Sequence, residues 1–98
     1  MSIRNFGDKE TEHFFITGRP PKKKSAWASI AKVARRKLDM VDYAVKLDDL
    51  RSPPSNRLEA LKGNLKGFYS IRINDQFRVV FQWELSGPTK VRIVDYHK

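Results

Sequence analysis

The chain contains no cysteine, which removes disulfide frameworks and thiolate metal centres at once. Its two histidines, His13 and His97, lie far apart and lack the spacing that a zinc site requires, so neither metal nor cofactor is expected. No apolar run approaches membrane-spanning length, and residues 1–6 do not form a signal peptide; no membrane partner and a cytoplasmic location are expected. Acidic residues are scarce beside basic ones: 11 Asp and Glu against 20 Lys and Arg, a net charge of +9. An isoelectric point of ≈ 10.1 favours a polyanionic partner, held through phosphate contacts and counterion release.

What is present suffices for one domain spanning residues 1–98. Hydrophobic residues make up 40% of the 98, and two Trp, three Tyr and six Phe can fill a modest core. Residues 2–6 alternate and predict a short strand at or near a sheet edge. Asp8 is a suitable N-cap for a helix running to about Ile16, with Gly18 ending it. Residues 19–25 hold two prolines and three consecutive lysines, a solvated loop. A second helix is predicted from Ser25, as its cap, to near Leu47. Its apolar stripe is Trp27, Ile30, Ala31, Ala34, Leu38, Val41 and Val45, with Lys32, Arg35, Arg36 and Lys37 mostly on the opposite, solvated flank.

From Arg57 onward the signals are β. Residues 57–62 alternate with Leu58 and Ala60 inward, and Gly63-Asn64 turns. Residues 68–73 and 77–83 form a hairpin about Asn74-Asp75-Gln76, with Tyr69, Ile71, Ile73, Phe77, Val79, Phe81 and Trp83 on one face. After Ser86-Gly-Pro88 the last strand begins near Thr89. The fold class is therefore α+β, in the order β-α-α-β-β-β, with two N-terminal helices on a small, mainly antiparallel sheet.

The face away from the helices gathers Arg72, Arg78, Arg92 and Tyr96, because same-face residues on antiparallel neighbours sit side by side. Clustered arginines repel unless an anion lies among them, and guanidinium forks match phosphate. The alternative is a surface network pairing Arg72 and Arg78 with Glu59, Asp95 or Glu84. Cleaving RNA without metal requires removing the 2′-hydroxyl proton, stabilising a pentavalent phosphorane and protonating the leaving 5′-oxygen. His97 is the natural proton carrier near this face. Tyr96 can stack on a base, orient the hydroxyl or exchange a proton. Asp95 shares the parity of Val91 and Ile93 and more naturally orients His97 or an arginine. Lys62 and Arg78 supply positive charge, Glu59 is a candidate base, and Arg57 and Lys66 are further cations expected to contact RNA.

Four segments resemble one family: Asn56-Arg-Leu-Glu-Ala-Leu-Lys-Gly63, Gly67-Phe-Tyr-Ser-Ile-Arg-Ile-Asn74, Phe77-Arg-Val-Val-Phe81 and Val94-Asp-Tyr-His97. Together they are similar to the HigB toxins of the RelE superfamily, and the Leu-Arg-Ser-Pro-Pro run at 50–54 to the GraT-like branch. The resemblance covers nearly the whole chain and implies a RelE-like fold. It implies a ribosome-dependent mRNA endonuclease, bacterial and without cofactors, in a type II toxin–antitoxin system. The implied partners are the ribosome, mRNA and a HigA-type helix-turn-helix antitoxin, with operon DNA bound only through the antitoxin complex. Carried over by position, the catalytic groups are Arg78, Asp95, Tyr96 and His97, with Lys62 assisting. Glu59 stands where toxins of another branch have histidine, and a carboxylate is a weaker base at neutral pH unless desolvation raises its pKa. Two other classes remain: a ParE-like gyrase inhibitor, sharing the fold without this C-terminal tail, and a non-catalytic RNA or ribosome binder.

Overall fold

Asp8 begins the first helix as its spacing predicts: its carboxylate accepts from the Thr11 backbone N–H at 2.8 Å, satisfying one of the orphan donors of the first turn. In this computed structural model, which describes residues 2–96, α1 spans Lys9–Thr17 and ends on Gly18 at φ 75°, a left-handed conformation that suits glycine. α2 spans Trp27–Tyr43. Four strands follow: β1 (Glu59–Ala60), β2 (Phe68–Arg72), β3 (Phe77–Glu84) and β4 (Gly87–Asp95), each antiparallel to the next in the order β1-β2-β3-β4. Both helices pack on one face of this sheet. None of the helices among the described residues is long and apolar enough to cross a membrane.

The core is the meeting of two periodicities. Trp27, Ile30, Ala34, Leu38 and Val41 present the 3.6-residue stripe of α2, and Ile71, Phe77, Val79, Phe81, Val91 and Ile93 the two-residue alternation of the strands. Phe14 closes the end of α1 against Trp27, ring edge to ring face at 6.0 Å. Each such large side chain, fully buried, contributes on the order of 1.5–3 kcal/mol. The buried Thr11 hydroxyl accepts from the Ile93 N–H at 3.0 Å, pinning α1 to β4.

Several boundaries differ from the expectation. Ser25 does not cap α2: Ala26 already has helical dihedrals and no side chain caps the end, while the Ser25 carbonyl accepts from Ala28 in a lead-in turn. α2 stops four residues short of Leu47 because the Asp49 carboxylate takes the N–H groups of Val45 and Lys46, the side-chain competition that ends helices. Those two bonds hold the Asp49 pKa low, that from Lys46 contributing most. Val45 consequently leaves the stripe and is exposed. Short 3₁₀ turns at Leu47–Arg51, Pro54–Asn56 and Gly63–Leu65 fill what reads as loop, and β1 shrinks to two residues with Ala60 exposed. Lys37 is not on the solvated flank. It is buried, its ammonium donating to Asn56 Oδ1 at 2.6 Å, and Asn56 in turn donates to the Leu50 carbonyl at 3.1 Å.

The expected first strand is reduced to a single parallel bridge, Phe6 to Val91. Residues 2–7 nevertheless line the outer edge of β4. Arg4 N–H donates to Pro88 O, Gly7 N–H to Val91 O and Val91 N–H to Asn5 O, while Asn5 Oδ1 accepts from Lys90 N–H at 2.7 Å. The chain bulges here, with an extra β4 residue between the pairs Val80↔Arg92 and Gln82↔Thr89 and Lys90 at φ 53°. Gly7 fits so closely that a Cβ on it would lie 2.9 Å from the Lys90 carbonyl oxygen. Gly7→Ala is therefore expected to destabilise the fold by about 1–3 kcal/mol, an overpacking cost. A urea midpoint equal to wild type would show that the N-terminal segment yields freely.

Candidate active site on the face away from the helices

The β2–β3–β4 register that buries Ile71, Val79 and Ile93 in one row turns their neighbours the other way. Arg72 lies opposite Arg78, and Arg78 opposite Val94; one rung along, Ser70 pairs with Val80 and Val80 with Arg92. Glu59 on β1 pairs with Ser70. Tyr96, just past β4, folds over Arg78, its ring centroid 4.7 Å from the guanidinium carbon. Arg72, Arg78, Arg92 and Tyr96 thus share one face. Val80 and Ser70 are also on it yet have no exposed surface.

Arg78 is the centre of the cluster. Only 9% of it is exposed, and its Nη1 lies 3.4 Å from Glu59 Oε1. That pair is loose: neither Nη1 nor Nε of Arg78 makes a hydrogen bond, although both atoms are buried. Unsatisfied donors at a buried cation cost free energy. The buried Ser70 hydroxyl is likewise without a hydrogen-bond partner. Its position was legible in the alternation of β2, but nothing in the sequence says that its oxygen goes unpaired. Glu59 is half-exposed, within reach of solvent and of any ligand on Arg78.

Arg72 takes a different partner. Its Nη2 donates to Asp75 Oδ1 in the hairpin, and this bond and charge, with a smaller contribution from Arg57, hold the Asp75 carboxyl below the usual range. A carboxylate within the β2–β3 turn was not among the partners the sequence suggested. Asp95 is on the other face. It pairs with Phe77 in the register, accepts from Gln76 Nε2 at 3.1 Å and borders a hollow of about 220 Å³ with Lys24, Ser25 and Trp27. The adjacent Tyr96 N–H donates to the Gln76 carbonyl at 2.6 Å, so the end of β4 is held on both sides of the peptide. Lys62 and Lys66 are exposed on the segment joining β1 to β2, and Arg57 is exposed before β1. His97 lies outside the described residues. His13 is exposed on α1, away from this cluster in sequence and element. Among the described residues no group of three or more His, Cys, Asp or Glu could hold a metal ion.

Two helices on one side of a four-stranded antiparallel sheet form an architecture shared with solved structures of small toxins. The YoeB dimer of Staphylococcus aureus superimposes with a TM-score of 0.56 at 19% identity, covering 100% of this chain and 98% of that one. A YoeB/ParE toxin from Agrobacterium tumefaciens gives 0.52 at 16% identity over 100% of both chains. These likenesses establish the RelE-like fold. Sequence establishes more. Residues 4–97 match the HigB-like toxin family, the RelE-like toxin of type II toxin–antitoxin system HigB. Toxin HigB-1 of Vibrio cholerae is 42% identical over 93 residues, 95% of each chain. The chain belongs to the HigB family of type II toxin–antitoxin toxins.

The unsatisfied donors of Arg78 generate a prediction about stability. A buried cation with incomplete partners contributes little to folding, and an apolar group of similar length removes the deficit. Arg78→Met is expected to keep the unfolding free energy, measured by urea denaturation, within about 1 kcal/mol of wild type, the lost contact with Tyr96 offsetting the relieved donors. A loss of several kcal/mol would identify Arg78 as a structural strut.

Proposed function

We propose that this toxin is a ribosome-dependent endonuclease of translated mRNA, and that the face carrying Arg78, Tyr96, Glu59 and Ser70 binds the scissile phosphate. The observation that carries this reading is the buried Arg78 guanidinium with two unfilled donors beneath the Tyr96 ring. In the reaction, the 2′-oxygen loses its proton and attacks the adjacent phosphorus. The bond to the 5′-oxygen breaks, leaving a 2′,3′-cyclic phosphate and a 5′-hydroxyl end. Arg78 stabilises the charge gathering on the phosphorane, where a fixed donor is worth most. Tyr96 stacks on a base and sets the hydroxyl's position; Glu59, 3.4 Å from Arg78, is the candidate base, and His97 delivers the proton to the leaving oxygen. Lys62 adds positive charge, and Arg57, Lys66, Arg72 and Arg92 hold flanking phosphates. Asp95, bonded to Gln76, acts as a positioning residue for the strand end that bears Tyr96 and His97.

With one histidine and mostly cations, such a site has modest power on free RNA, and the ribosome supplies the missing orientation of substrate. The proposed antitoxin is of the HigA helix-turn-helix type, an acidic surface of which neutralises the arginine face, with operon DNA bound only through the complex.

Mapping of 5′ ends on a reporter mRNA in a purified translation system tests this directly. Cuts are expected only with ribosomes present, falling by about 10²–10⁴-fold in His97→Ala and at least as far in Arg78→Met. Intact message in the presence of ribosomes would overturn the reading and direct attention to gyrase. Bound but uncut message would reduce the protein to an RNA or ribosome binder.

A further inference from the structure

Beside α2 lies a second basic site that shares only Arg72 with the nuclease reading. A concavity of about 300 Å³ opens between α2, the segment around Pro53 and the end of β2; Arg36, Lys37, Arg72 and Ser55 line it, with Met40 and Pro53 among its apolar walls. None of the described lining residues is acidic. Lys37 is 93% buried by its 7% exposure, and its one hydrogen bond goes to the neutral Asn56 Oδ1. Burial, then the charges of Arg36 and Arg72, hold its pKa below that of a solvated lysine. The salt bridge of Arg72 is to Asp75, whose side chain is 99% exposed, a pairing that solvent screens and a ligand can displace.

The tie to Asn56 accounts for one ammonium N–H and for the position of the segment around Pro53. It does not account for a charge: a neutral donor would serve Asn56 equally and avoid the repulsion. Three cations converging without a carboxylate call for an anion of more than one charge. Two guanidinium forks and a point-charge ammonium match a tetrahedral oxyanion better than a single carboxylate, and the Ser55 hydroxyl can donate as well.

We propose that this pocket binds a phosphate group, carried by the end of an RNA strand or by a free phosphomonoester. The site stands apart from the Arg78–Tyr96 cluster in all but Arg72, so Arg36 is the residue that isolates it.

Thermal unfolding of the full chain in inorganic phosphate, against sodium chloride of equal ionic strength, provides the test. Phosphate at ten times its dissociation constant is expected to raise the wild-type midpoint by about 5 °C or more. Arg36→Gln, an exposed change, weakens the apparent affinity at least about 10-fold, the loss of one charge-assisted contact, while Lys32→Gln, an exposed change of the same charge on α2 outside the lining, retains it. The titration midpoint of the Lys37 ammonium, followed by NMR, moves up when phosphate binds. A 5′-phosphorylated trinucleotide favoured over both its 5′-hydroxyl form and a nucleoside monophosphate identifies a strand end; equal response to the monophosphate identifies the free ester. The proposal is overturned by an equal rise in Arg36→Gln, by no rise beyond chloride, by an unmoved Lys37 midpoint, or by a stronger response to a glutamate-rich peptide.

Discussion

Everything distinctive about this toxin depends on the pairing of β2 with β3. Ile71 meets Val79 and Val79 meets Ile93 on the face beneath the helices, and none of the three can leave that row without opening the core. Because side chains alternate strictly, the same register obliges Arg72 to stand opposite Arg78 on the far face. Like charges directly opposed across a sheet are unfavourable. The apolar row overrides that repulsion, so the core holds in place a cationic arrangement that its own side chains would not choose. The fold stores an electrostatic deficit where a polyanion can relieve it.

Much of this was legible from periodicity. The alternation in residues 68–83 places Arg72 and Arg78 together, the Asp8 and Gly18 signals bound α1, and the α2 stripe through Val41 is the buried one. What escaped were particular side-chain hydrogen bonds. Asp49 ends α2 by capturing backbone donors, and Thr11 bonds to a strand 82 residues away. Asn56 buries Lys37, against the expectation that a lysine between Arg36 and Leu38 faces water. The Thr11 and Lys37 bonds have no local pattern, each polar group finding its partner only once the core has formed, whereas the Asp49 bonds are local, three and four residues back along the chain.

The candidate site divides along the same line. Which residues share the face follows from parity, and Asp95 falls on the opposite face by that same parity. How well each is satisfied does not follow from sequence. Arg72 is absorbed by Asp75 at the hairpin, whereas Arg78, two residues past the turn and roofed by Tyr96, keeps two idle donors. Two arginines of similar sequence surroundings thereby acquire different characters, one paired in solvent at the hairpin and one buried with donors unfilled.

The N-terminal segment has a consequence beyond the clasp it forms on β4. Residues 4–7, together with Thr11, occupy the outward-facing backbone groups of β4 from Pro88 to Ile93, and at the other side of the sheet β1 is only two residues long. Neither margin offers a long row of free backbone for another strand to pair with. Edge-to-edge aggregation is thereby discouraged, because a second copy finds no open strand to extend.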